Sequence, residues 1–349
     1  MMRHILIPLD GSDLAERAIP VAARIAKATE GSAISLVRIV RAPAEFETSA
    51  TDTAVWAPAA DEDEKREANN YLHEVAHHPE LAGLSVTERI YAGPPSATLL
   101  MAAKSLGVDL IVMTSRGRTG VTRWLLGSVA EGVSRESSAP TLILRAEKTE
   151  TQNEITLGGA ALVPVDGSPL AETAIEPAAR LAATLASGGD GGNGGKASLH
   201  LLYVVQPLPL TATAPLGYGV QGANLSSLNT EMGLVKEGEA YLQDLAKRAG
   251  EAYAGALGVT ITYTSIYGAD VAGDILAAAE GTLEAVPKSP IPPAHADFIA
   301  MATHGRGGLR RWVMGSVTDR VLHATIQPML IVRPTLPETP DATPSTNDQ

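Results

Sequence analysis

The sequence predicts an α/β protein built twice over: two tandem, doubly wound parallel sheets, each with helices on both faces. Three observations predict it. Short apolar runs alternate with amphipathic stretches from Ile5 to Arg145, the alternation that builds a parallel sheet between two helical layers. The pattern then restarts: Asp10–Ala26 aligns with Asp166–Ala182 at twelve identical positions of seventeen, with an offset of 156. A strand, glycine loop and helix start also recur, at Thr114–Val129 and again at Ala302–Val317.

Each element has its own justification. Ile5–Asp10 is an apolar run closed by a carboxylate and reads as a buried strand. Gly11 and Ser12 turn the chain. Ser12 suits an N-cap, and Leu14, Ala18, Val21, Ala22 and Ile25 then share one helical face. Ala33–Val40 is the second strand, and residues 41–60, with Pro43 and Pro58, have loop composition. Asp61–His78 reads as a helix, acidic at its start and histidine-bearing at its end, as the helix dipole favours. Leu84–Tyr91 alternates as a strand. Ser96–Leu106 is a helix stopped by Gly107, Asp109–Met113 a fourth strand, and a helix from about Ser128 leads to a last strand, Pro140–Arg145. In the second copy Pro169 follows Ser168 at the first helical position, which marks Ser168 as an N-cap.

The domains read as 1–146 and 160–334, joined by a polar linker 147–159 and followed by a Pro/Thr/Asp-rich tail 335–349 expected to be disordered. The offset between copies grows to 165 at Ile39 and Val204, to 176 at Tyr91 and Tyr267, and to 188 at Gly117 and Gly305. The extra residues fall in Ser187–Lys196, Pro207–Asn229 and Gly281–Ala296, all of loop composition, so they decorate the repeat.

A chain of 349 residues can bury two cores, and its 45% apolar and 19% charged residues are ordinary for a globular protein. A net charge of −12 supplies no global field for nucleic acid or an acidic membrane. With no cysteine there are no disulfides, no thiolate chemistry and no Cys-ligated zinc, and none of the eight histidines has metal-ligand spacing. The first apolar run is too short for a signal peptide, and none approaches the roughly 18 residues of a spanning helix. The expectation is a soluble, cytoplasmic protein without nucleic-acid or membrane partners.

The chemistry lies in the paired stretches. Gly117 and Gly305 follow a strand and allow a ligand close to the backbone. Gly127–Ser128–Val129 and Gly315–Ser316–Val317 stand where the next helix begins, where open N–H groups, the positive dipole end and a serine hydroxyl suit a phosphate. Arg118 and Arg306 could neutralise phosphate charge or be solvated loop residues. If the strand order reverses between strands one and four, the crevice lies at their carboxyl ends. Asp10 and Asp166 would face it, accepting from ribose hydroxyls or helping to hold hydrated Mg²⁺, with capping of the local Gly-Ser turn as the competing role. Ile39 and Val204 could wall an adenine. The glycines could instead be architectural, since duplication copies structural residues as faithfully as functional ones. No phosphate-binding loop of the GxxxxGK[ST] form, nucleophile elbow or placeable carboxylate pair is present, so binding groups stand without an evident general base.

These residues resemble the universal stress protein family in its tandem form, over residues 3–145 and 160–334. The family's nucleotide motif, Gly-x-x-Gly, nine residues, Gly-Ser/Thr, reads here Thr114-x-x-Gly117-x9-Gly127-Ser128 and Ala302-x-x-Gly305-x9-Gly315-Ser316. Its first glycine is replaced in both copies, and Thr114 brings a branched side chain. The family's strand-one aspartate matches Asp10 and Asp166. The resemblance implies ATP as ligand, with adenine against strand two and phosphates on the glycine loop. It implies five-stranded sheets of order 3-2-1-4-5 whose last strands, Thr141–Arg145 and Met329–Arg333, pair antiparallel across the halves. It also implies an oligomer, most simply a dimer.

The leading expectation is therefore an ATP-binding stress-response regulator with at most slow hydrolysis. A nucleotide-processing enzyme, such as a slow ATPase, and a nucleotide-free interaction scaffold are the alternatives.

Overall fold

The computed structural model describes residues 2–41, 62–115, 126–145, 157–187, 196–206, 223–283, 295–304 and 314–334, without the side chains of 223–232. The first half runs β1 (His4–Pro8), α1 (Asp13–Glu16), α2 (Ala18–Lys27), β2 (Ala33–Val40), α3 (Glu62–Ala76), β3 (Ser85–Ala92), α4 (Pro95–Leu106), β4 (Leu110–Thr114), α5 (Ser128–Glu136) and β5 (Thr141–Leu144). The second runs β6 (Ala160–Val165), α6 (Pro169–Glu172), α7 (Ile175–Ser187), β7 (Ser198–Val205), α8 (Ala223–Ala249), α9 (Gly255–Leu257), β8 (Thr260–Tyr267), α10 (Val271–Glu280), β9 (Phe298–Ala302), α11 (Ser316–Ala324) and β10 (Met329–Val332).

The strands form one ten-stranded sheet of order β3-β2-β1-β4-β5-β10-β9-β6-β7-β8. Each half is a parallel 3-2-1-4-5 sheet, as the family resemblance implies. The two join through a single antiparallel pair, β5 with β10. β4, Leu110–Thr114, and β9, Phe298–Ala302, are buried at every residue, as strands covered on both faces must be.

Side chains alternate between two cores. On one face α2, α3, α7 and α8 contribute Ile19, Leu72, Ala178 and Leu242 to a cluster with Ile5, Leu36, Val112 and Leu199. On the other α4, α5, α10 and α11 contribute Leu99, Ala130, Ala272 and Val321 to a cluster with Leu6, Val37, Met113 and Leu202. Both clusters run through both halves.

Four readings differ from their expected form. The helix read to His78 ends at Ala76, and the insertion read as loop over Pro207–Asn229 is helical from Ala223. The strand register sets Ile266 and not Tyr267 opposite Val204, as Tyr91 is set opposite Ile39. Fourth, the helix after Ser12 is not continuous and divides into α1 and α2 at Arg17. Pro20 explains the division: it has no N–H for the Glu16 carbonyl, and its ring crowds that oxygen. In the second copy the proline stands at 177 and faces the Thr173 carbonyl, and there α6 and α7 part at Thr173 and Ala174. The caps read at Gly107, Ser12 and Ser168 stand as expected, and His78 supplies one that was not expected. Gly107 ends α4 in the left-handed conformation at φ 61°. Ser12 Oγ accepts from Ala15 N–H and Ser168 Oγ from Ala171 N–H, both at 3.2 Å. His78 caps the turn beyond α3, its Nδ1 accepting from Glu80 N–H at 3.3 Å. The 335–349 tail and most of the linker and inserted loops lie outside the described residues.

Candidate functional site

The order reversal between β1 and β4, and between β6 and β9, opens a crevice at the carboxyl edge of each half. β1 and β6 lead into it through the same turn. Asp10 Oδ1 accepts from Ser12 N–H at 3.0 Å and from the Ser12 hydroxyl at 2.6 Å. Asp166 Oδ1 holds Ser168 at the same two distances. Gly11 and Gly167, at φ 81° and 83°, occupy the left-handed region that makes the turn possible. The capping role weighed for these aspartates is thus filled in both halves.

The other wall is the strand-to-helix passage. Gly127 N–H donates to the Ser115 carbonyl at 2.8 Å and Gly315 N–H to the Thr303 carbonyl at 2.7 Å, closing the neck of each loop. These two N–H groups are therefore used by the chain itself. The first intrahelical bonds come from Glu131 N–H to Gly127 and from Asp319 N–H to Gly315, each 2.9 Å. The N–H groups of Ser128, Val129 and Ala130, and of Ser316, Val317 and Thr318, thus have no partner within their own helices. Each helix turns its positive dipole end toward the crevice.

Gly315 is informative because the fold does not demand it. Its φ of −58° suits any residue. Among the described residues a Cβ there would meet only the Thr303 carbonyl, at an ordinary 3.4 Å. Gly127 has the same kind of backbone, φ −67° and ψ 147°. Ile39 and Val129 pack half-buried on one core cluster, and Val204 and Val317 do so in the second half, so strand two and the helix start flank one face of each crevice. Thr114 pairs with Leu144, which belongs to the opposite cluster, so its branched side chain lies on the α2 face. Ala302 lies on that same face in the second half. Gly117, Arg118, Gly305 and Arg306 lie outside the described residues, so the middle of each glycine loop carries no geometry here. Among the described residues no group of acids and histidines could hold a metal ion.

Behind each aspartate turn stands a contact that sequence reasoning missed. Tyr71 donates to Glu16 Oε1 at 2.9 Å and Tyr241 to Glu172 Oε1 at 3.0 Å. Burial, then the glutamate, push both phenol pKa values up. The signal was present: Ala68-x-x-Tyr71-Leu72 and Gly238-x-x-Tyr241-Leu242 repeat the spacing, and Glu16 and Glu172 lie inside the aligned run. The accompanying cation is not copied. In the first half Arg38, only 8% exposed, covers Tyr71 at 4.8 Å from the ring centre and fills the space beside Gly11. In the second, Tyr203 packs on Tyr241 at 5.7 Å and Arg248 reaches Glu172 Oε2 at 3.1 Å.

Comparison with known proteins agrees with this architecture. The model of the universal stress protein family matches residues 1–145 and 294–333. Universal stress protein YxiE of Bacillus subtilis is 34% identical over 151 residues, 42% of this chain and all of that protein. Universal stress protein Rv2005c of Mycobacterium tuberculosis is 24% identical over 254 residues, 72% of this chain and 70% of that one. Among solved structures, a universal stress protein from Archaeoglobus fulgidus superposes with a TM-score of 0.59 at 21% identity, covering 95% of this chain and 99% of its own.

Proposed function

The chain belongs to the universal stress protein family, and we propose that it serves the family's stress-response role as an ATP-dependent regulator with one nucleotide seat in each of two units, 1–146 and 160–334. The reading rests above all on Gly315. A glycine that neither backbone nor described packing requires stands at a helix start with open N–H groups, where a side chain would fill the phosphate's place. Gly127 and Ser128 take the same part in the first unit.

In this reading Ser128, Val129, Ser316 and Val317 offer backbone N–H groups to the phosphates, with both serine hydroxyls as further donors. Gly117 and Gly305 let the ligand approach the backbone, and Arg118 and Arg306 neutralise phosphate charge. Ile39 and Val204 lie against the adenine. Asp10 and Asp166 accept from the ribose or hold the water shell of Mg²⁺. ATP acts by binding one conformation or assembly better than another, and dimers of the tandem chain belong to the same proposal.

Native mass spectrometry of freshly purified protein tests the ligand, the stoichiometry and the assembly together. Two ATP per chain is the expected result. A Gly315→Val variant should keep the parent's melting temperature without ligand and lose the second site's share of ATP-dependent stabilisation. That share is about 2.7 kcal/mol when ligand stands a hundredfold above Kd. ATP stabilisation equal to the parent's in this variant would remove the phosphate assignment.

A further inference from the structure

The two halves differ where the helices flanking each crevice meet. In the second half Arg320 of α11 forms a two-pronged ion pair with Asp270, the N-cap of α10: Nη1 to Oδ1 at 2.6 Å and Nη2 to Oδ2 at 2.8 Å. In the first half Gly132 stands in place of Arg320 and Pro94 is the cap. There α4 and α5 pack so closely that a Cβ on Gly132 would collide with the Ser96 hydroxyl. In the first half the two helices meet by tight packing; in the second an exposed ion pair spans them.

Three features turn this pair toward the ligand. Arg320 lies one helical turn beyond Ser316, and helical side chains lean toward the N-terminus, so the guanidinium is directed to the end of α11 that carries the open N–H groups. The pair is open to solvent and to an incoming anion, because both side chains are largely exposed, 62% and 50%. Asp270 would not be stranded by Arg320's departure, since Oδ1 also accepts from Gly273 N–H at 3.2 Å as the cap of α10.

Resting on the nucleotide reading above, we infer that Arg320 is a specificity-determining residue of the second site. It exchanges Asp270 for the terminal phosphates of a nucleoside polyphosphate. The planar guanidinium suits that exchange, because its fork of N–H donors matches phosphate oxygens as well as carboxylate oxygens. The second site therefore grades its ligands by phosphate number, and the first site, with Gly132, does so less.

The test is calorimetric titration of ATP and AMP into the full chain with its first site blocked by Gly127→Val. Arg320→Gly should weaken ATP by about tenfold and leave AMP within about twofold. Arg320→Lys should restore most of the ATP affinity. Asp270→Asn keeps the helix cap but releases Arg320, so ATP should bind as tightly as before or more so. An unchanged ATP-to-AMP ratio in Arg320→Gly overturns the inference and leaves the nucleotide reading standing. So does equal weakening of both ligands by Arg320→Gly and Asp270→Asn, which marks a structural strut. A parent site that binds neither ligand overturns the nucleotide reading, and this inference with it.

Discussion

At the scale of single residues, His200 shows how the copies have diverged inside a shared framework. It stands on β7 where β2 has Ser35. Ser35 is bonded to Thr87 at 3.0 Å and to His4 at 2.9 Å. His200 keeps the corresponding threonine contact, Nδ1 to Thr262 Oγ1 at 2.8 Å, but its buried Nε2 has no hydrogen-bond partner among the described residues. Only 2% exposed, the imidazole is held by burial down to about 4 from its ordinary 6.5. The unfolded chain therefore binds a proton between those values that the native chain does not, so His200's contribution to stability is complete above pH 6.5 and drains away toward pH 4. The whole window is worth about 3 kcal/mol. Urea unfolding at pH 7 and pH 4.5 should show a stability loss that is smaller by about 2 kcal/mol in His200→Asn than in the parent. An identical loss in both proteins would place the acid sensitivity elsewhere.

At the scale of elements, the cap of α6 ties helix stability to the crevice. Ser168 Oγ accepts from Ala171 N–H while its own proton goes to Asp166. Ser168→Ala should cost about 1 kcal/mol in chemical unfolding, the usual worth of such a cap. It should also leave Asp166 held in the turn by the backbone N–H of position 168 alone, so that ATP affinity at the second site changes while that at the first does not. Elements of this kind were legible in the sequence because their causes are local. Ser168 precedes Pro169, Gly107 follows the last periodic residue, and Glu62, Asp63 and Glu64 form the first turn of α3. The break between α1 and α2 was written in Pro20 but masked by the unbroken apolar face from Leu14 to Ile25. The family resemblance carried the strand order, and the crevice at the carboxyl edge came with it. The Tyr71–Glu16 and Arg320–Asp270 contacts were not legible, because the sheet brings together residues 55 and 50 positions apart. A repeat search can show that both copies have a tyrosine and a glutamate. It cannot show that the cation beside them comes from β2 in one half and from α8 in the other.

At the scale of the whole molecule, the seam between the halves obeys a near-twofold rule. Leu142 and Leu330 are equivalent positions in the two copies, and they face one another in the β5–β10 register. Arg145 and Arg333, also equivalent, cross the seam in opposite directions. Arg145 donates to the Leu322 carbonyl of α11 and Arg333 to the Glu136 carbonyl of α5, the latter at 2.7 Å. Each cation meets the negative end of the other half's helix. Arg135 adds an ion pair to Asp319 at 3.3 Å. Two contacts break the symmetry: Arg135's equivalent, His323, pairs with Asp319 on its own helix, and Arg24 reaches the carbonyls of Leu157 and Leu185, whereas its equivalent, Arg180, pairs with Glu176 on its own helix. A surface that meets its own near-copy across a twofold is self-complementary, the condition for a closed dimer. Residues 1–145 expressed alone should therefore associate as a dimer, with Leu142 opposite Leu142, because the free β5 edge would otherwise expose unpaired backbone groups and buried leucines. Sedimentation equilibrium should give twice the fragment's mass, and Ile143→Pro, which removes a backbone donor facing β10 from the edge, should abolish the dimer. A stable monomer from the unaltered fragment would mean that the covalent link, not the complementarity of the two edges, holds the ten strands in one sheet.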